Sequence, residues 1–155
     1  QVLGYAAVKY ADLKSNRLSN YIFNYERMLS TQGNTAVYLL YAHARICSIM
    51  DKSGVDMAAL KTARTPIKLE HPAEVAFGTA IAQFGDKVEE VLRDLQPHMI
   101  CEYLYDTCSK LNAFVRECRV INVPESPSRL MLCAAGLAVM RQCFELLGMD
   151  WLERI

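Results

Sequence analysis

Three prolines constrain this chain more than any other feature. Pro72, Pro97 and Pro127 each stand at the start of a run with helical spacing, and none lies inside one. Proline's fixed φ and missing N–H suit the first turn of a helix and disrupt its interior. Alternation of the strand type is nearly absent around them. The exception is "NYIF" at 20–23, a β-prone piece expected to pair locally. The pattern predicts an all-α fold, a bundle of five or six helices.

Further punctuation places the elements. Leu3, Ala7, Tyr10 and Leu13 share one helical face over 3–13, and 25–30 suggests a single turn. Gly33-Asn34 interrupts the chain. Asn34 or Thr35 then caps a helix to about Lys52, which Ser53-Gly54 ends. Residues 54–70 read as a connector with a turn near 56–62. Pro72 and Glu74 open a helix to Phe84. Gly85 breaks it, and 86–95 carry an apolar stripe of Val88, Val91, Leu92 and Leu95. Pro97 opens a helix to about Val120. Ser126 is expected to cap the last helix, which Pro127 starts and Gly148 stops.

The 155 residues suffice for one domain with a substantial core, and an apolar content of 52% excludes a disordered chain. Seventeen basic residues balance seventeen acidic ones, so nucleic acid would not be held by bulk charge alone. The balance is uneven along the chain. Residues 1–35 and 36–70 each sum to +2, residues 71–100 to −3 and residues 101–155 to −1. A polyanion is therefore expected on the first half. The six cysteines have no zinc spacing and read as buried reduced thiols of a cytoplasmic protein. No apolar run reaches the ~18 residues of a membrane span. The chain begins mid-pattern at Gln1 and reads as a piece of a longer protein.

No catalytic or metal-binding constellation emerges. There is neither a glycine-rich phosphate loop nor a nucleophile elbow. His71 and His98 fall at helix starts, where capping suffices to explain them. Glu102 and Asp106 share a helix face but lack an orienting partner. Two features stand out. "VKYADLKSNR", Val8 to Arg17, is dense in donors for phosphate and ribose. In "NTAVYLLYAHARI", Tyr38, Tyr41 and Arg45 lie within about 60° of one another at 100° per residue. That stripe opposes Leu39, Leu40, Ile46, Cys47 and Met50. Rings beside a guanidinium suit unstacked bases, although paired tyrosines also serve as core. His43 lies on the opposite side and reads as a packed residue with one satisfied nitrogen. Balanced charge and apolar helices equally suit a helical protein-interaction or scaffold module with no RNA role.

Longer segments then point to a family. "GYAAVKYADLKSNRLSNYIFNYERML" (4–29) and "GNTAVYLLYAHARI" (33–46) are followed in order by "HPAE" (71–74), "ICEYLYD" (100–106), "RLMLC" (129–133) and "LLGMDWLERI" (146–155). Together they resemble the junction and C-terminal domain of arginyl-tRNA synthetases, most of all the eukaryotic, plant-like cytosolic branch. The resemblance implies a class I ligase that attaches L-arginine to tRNA(Arg) using ATP. It implies that residues 34–155 form a DALR-type anticodon-binding domain and that 1–33 end the catalytic half. The ATP-binding signatures resembling HIGH and KMSKS are not in this chain, so it is expected to hold no cofactor and to be inactive alone. It also implies stacking of bases by Tyr38 and Tyr41, with Arg45 beside them, and a backbone or base-edge contact from Arg119. The tail, Arg154-Ile155, would close the pocket, and Lys9, Asn16 and Arg17 would meet phosphate or ribose. The expected partner is tRNA(Arg), not DNA or membrane, and the expected state is a monomer. Val115 and Ile155 depart from the family pattern, where an aromatic and a methionine are usual.

Overall fold

The computed structural model describes residues 1–155, and its regular structure is entirely helical, with no strand. Its long helices are α1 (Val2–Leu13), α3 (Ala36–Ser53), α5 (Pro72–Ala82), α6 (Phe84–Asp94), α7 (His98–Glu117) and α8 (Ser126–Leu146). Two short helices, α2 (Tyr25–Met28) and α4 (Met57–Thr62), fall where single turns were expected.

Local signals account for most boundaries. Thr35 caps α3 by accepting from the Tyr38 N–H, and Gly54 ends it at φ 63°, a left-handed conformation that glycine adopts freely. His71 and Glu74 form a reciprocal capping box ahead of Pro72. Gly148, also at φ 63°, follows α8.

Other expectations are corrected. Residues 20–23 form no strand and make no backbone–backbone hydrogen bond, and Ile22 stands 92% exposed. The break between α5 and α6 falls at Gln83, and Gly85 lies inside α6. The kink at Gln83 brings the Phe84 ring within 6.1 Å of the Tyr103 ring. Of the α6 stripe, Val88 and Val91 pack on the core, whereas Leu92 and Leu95 face solvent. The helix α7 stops at Glu117, and Cys118 turns to extended backbone. Ser126 does not cap α8; its hydroxyl accepts from the Val123 N–H and tightens the preceding loop.

The core is a continuous cluster drawn chiefly from α3, α5, α7 and α8. Phe77 of α5 stacks on Phe114 of α7 at 5.7 Å and 19°. The helix α1 docks onto the same core through Tyr10, which is fully buried. Its hydroxyl lies 2.6 Å from Asn34 Oδ1 and 2.9 Å from the Cys101 carbonyl. The hydroxyl carries one proton, so Tyr10→Phe removes one donor from this site and is expected to cost about 1–3 kcal/mol in urea unfolding. A change under about 0.5 kcal/mol would show that the hydroxyl is not what fastens α1.

Candidate nucleic-acid interface

The helical period divides α3 as its residue types dictate. Leu39, Leu40 and Ile46 are fully buried, whereas Tyr41 is 48% exposed and Arg45 faces solvent. Tyr38 lies between these extremes. Its ring tilts against Tyr105 at 5.5 Å, and its hydroxyl accepts from Asn112 Nδ2 at 2.8 Å. Asn112 Oδ1 in turn accepts from Arg45 Nη1 at 3.3 Å. One amide from α7 thus fixes both the Tyr38 hydroxyl and the Arg45 fork. This leaves the Tyr41 ring as the freer aromatic surface.

These side chains border a cleft of ≈ 600 Å³, which also includes Arg154 and Ile155. The C-terminal tail lies across the end of α3, where Arg154 Nη2 pairs with Asp51 at 3.3 Å. Five of the expected site residues, Tyr38, Tyr41, Arg45, Arg154 and Ile155, therefore come together. Four do not line this cleft. Arg119 lies beyond the end of α7, its Nε donating to the Ile121 carbonyl at 3.2 Å. The Lys9 ammonium donates to the Gly148 carbonyl and ties α1 to the end of α8. Arg17 Nε donates to the Leu95 carbonyl at 2.9 Å, and Asn16 Oδ1 accepts from the Leu18 N–H at 2.9 Å. Asn16 and Arg17 border a separate groove of ≈ 530 Å³ beside Pro97.

Sequence reading overlooked Asn112, Thr31, Ser48 and Glu153, all of which line the cleft. Asn112 carried a usable signal, because a mid-helix asparagine is unfavourable unless its amide has a task. Glu153 carried none. His43 was underestimated, since both its ring nitrogens have partners: Nδ1 lies 3.0 Å from the Leu152 carbonyl and Nε2 3.2 Å from Arg141 Nε.

All six cysteines are buried free thiols, and burial pushes Cys101, Cys133 and Cys143 up to about 12, which denies them thiolate character at neutral pH. No three His, Cys, Asp or Glu side chains are grouped to hold a metal ion. Asp106 is engaged by Lys110 at 2.6 Å along α7. No helix is long and apolar enough to cross a membrane.

Residues 39–155 match the family described as the DALR anticodon binding domain. The chain belongs to that family. As a DALR domain it is 51% identical, over its full length, to the chloroplastic/mitochondrial arginine–tRNA ligase of Arabidopsis thaliana, covering 24% of that protein. It is 49% identical over 96% of its length to the cytoplasmic arginine–tRNA ligase of the same plant, covering 25% of it. Organellar and cytoplasmic enzymes thus match almost equally, a broader likeness than the cytosolic branch expected. Among solved structures, arginyl-tRNA synthetase of Plasmodium falciparum superposes with a TM-score of 0.91 at 35% identity, covering 99% of this chain and 27% of that one. The Thermus thermophilus enzyme gives 0.87 at 26% identity, with the same coverage of each chain. The chain spans about a quarter of the length of these relatives.

Proposed function

We propose that this DALR domain binds the anticodon loop of tRNA(Arg) as the C-terminal part of an arginine–tRNA ligase. In the whole enzyme, L-arginine and ATP would be handled by a catalytic half of which this chain carries only the end, residues 1–33. The plant relatives support a plant-like branch, and we place its action in the cytoplasm, as a monomer.

One observation carries the reading of the site. The half-exposed Tyr41 ring lies beside the Arg45 guanidinium on the border of a cleft that the C-terminal residues close. A ring of this kind offers a stacking platform to an unpaired base, and a guanidinium plane adds a second. Arg154 supplies further positive charge, while Glu153 supplies an acceptor for exocyclic amines of bases. Lys9, Asn16, Arg17 and Arg119 lie elsewhere on the surface and would meet the backbone of a longer RNA.

The test is anisotropy of a labelled anticodon stem-loop bearing an arginine anticodon. Affinity is expected to fall between about 50 and about 200 mM salt as phosphate contacts release counterions. A scrambled loop is expected to bind less well. Tyr41→Ala is expected to weaken binding by about 1–3 kcal/mol without altering the circular dichroism, since the ring is not core. Binding of neither loop, or a signal with no salt dependence, would favour a protein-interaction module instead.

A further inference from the structure

We propose that the buried His43 and the partly exposed Arg141 form a clamp that holds the C-terminal tail as one wall of the cleft, and that a second proton on His43 releases it.

The tail needs such a device. Met149 donates a backbone N–H to the Phe144 carbonyl at 2.8 Å, and beyond it residues 150–155 make no backbone–backbone hydrogen bond. Side chains therefore set the path of Trp151, Leu152 and Glu153, and that path decides where Glu153, Arg154 and Ile155 stand in the cleft. The Arg154–Asp51 pair cannot do this alone, because both side chains are largely exposed and such pairs contribute little.

The clamp engages three consecutive tail residues. The Arg141 guanidinium lies over the Trp151 ring, 5.6 Å from its centroid, and its Nη2 approaches Glu153 Oε1 at 3.4 Å. His43 takes the main chain between them through the Leu152 carbonyl. The partners dictate the tautomer of His43. A guanidinium only donates, so Nε2, which faces Arg141 Nε, must accept; a carbonyl only accepts, so Nδ1 must carry the proton. The neutral ring satisfies both contacts. The doubly protonated ring sets an N–H against an N–H at Nε2 and adds positive charge beside Arg141.

The groups facing His43 can be named element by element. On α3 itself Cys47 Sγ lies 3.8 Å from Nδ1. From α8 come Arg141 and the apolar edge of Phe144, with ring centroids 5.8 Å apart. From the tail come Trp151, at 6.3 Å between centroids, the Leu152 carbonyl and the Glu153 carboxylate. Burial and the Arg141 charge lower the affinity of the ring for a proton, while Leu152 and Glu153 raise it; burial dominates. The clamp therefore holds at neutral pH and opens as pH falls below the ordinary histidine range.

Trp151 is the only tryptophan and sits in the clamp, so its fluorescence reads the clamp directly. The experiment follows acrylamide quenching of Trp151 from about pH 7.5 to about pH 5, with far-UV circular dichroism as a control for folding. Quenching is expected to rise toward acid in the unaltered chain. It is expected to stay flat in His43→Gln, whose amide can donate and accept but takes up no proton. Arg141→Gln serves as a second variant, which also decides the matter should His43→Gln not fold. Its Trp151 is expected to be open to quencher already at neutral pH, with no further change on acidification. A flat profile in the unaltered chain, the same rise in His43→Gln, or a Trp151 still shielded in Arg141→Gln would overturn the clamp.

The wall function rests on the proposed RNA role and is read separately. Anticodon stem-loop affinity is expected to fall roughly tenfold over the same pH range in the unaltered chain and not in His43→Gln. A stem-loop that binds equally across this range while Trp151 opens would overturn the wall. A stem-loop that binds at no pH would overturn the RNA reading, while the quenching data still decide the clamp.

Discussion

Glu74→Ala is expected to remove about 3 kcal/mol of stability, the low end of the range for breaking a buried ion pair. Glu74 is 2% exposed at the start of α5, and each of its oxygens is used. Oε1 accepts from Arg129 Nε at 2.6 Å. Oε2 accepts from the N–H groups of Glu70 and His71, both at 2.9 Å. Arg129 also donates to the Arg119 carbonyl at 2.9 Å, so one carboxylate ties together the starts of α5 and α8 and the segment after α7. Removing it strands a mostly buried guanidinium and two partly buried N–H groups. Arg129 keeps some solvent, which places the cost at the low end. Burial alone would raise the proton affinity of Glu74. The hydrogen bonds from His71, Arg129 and Glu70 outweigh it and hold the group below its ordinary value of 4.5. The unfolded chain therefore binds this proton more readily than the folded one. The stabilisation is complete above the ordinary carboxylate range and is lost as pH falls through the folded value. Urea midpoints measured across acid pH are expected to fall less steeply in Glu74→Gln than in the unaltered chain. A loss below about 1 kcal/mol for Glu74→Ala would mean that solvent replaces the pair freely.

Gly136→Val is expected to cost about 3 kcal/mol or more, the upper end for overpacking a core. A Cβ at Gly136 would lie 2.4 Å from Phe77 Cζ, closer than carbon atoms can approach, and a tight 3.2 Å from Cε1. Phe77 has nowhere to go, being fully buried and stacked on Phe114. The glycine is therefore required by the close approach of α8 to α5, and its backbone φ plays no part. Thermal or urea unfolding of Gly136→Val combined with Phe77→Leu supplies the check. The second change vacates the colliding ring atoms, so the pair is expected to be more stable than Gly136→Val alone. Gly85 gives the contrast, because a Cβ there meets nothing within 4 Å and Gly85→Ala should be tolerated. If Gly136→Val and Gly85→Ala unfold at the same denaturant concentration, the contact with Phe77 is not limiting.

The two glycines show where sequence reading fails. Both interrupt apolar helical runs. Gly85 was read as a breaker, yet it sits inside α6. Gly136 drew no attention, yet it sets how near two helices come. A glycine's meaning depends on what faces it, and that is not a local property. The α6 stripe failed in the same way. Period alone grouped Val88, Val91, Leu92 and Leu95, but α7 covers a narrower band and leaves both leucines in solvent.

Where local reading held, its physics acts within a few residues. The cap at Asn34 or Thr35, which falls on Thr35, Glu74 in the first turn of α5, the prolines at helix starts and Gly54 and Gly148 at helix ends all obey that range. So does the division of α3 into an apolar and an aromatic–basic face. The family was legible as well, because ordered segments along the whole chain carried it. The tertiary structure alone decided which neighbours complete the site. Asn112 meets Arg45 across 67 residues, and the Leu152 carbonyl meets His43 across 109. No period or cap encodes such pairs. They exist because α7 and α8 pack against α3, and that packing brings a mid-helix amide and an irregular tail to the edge of a tyrosine stripe.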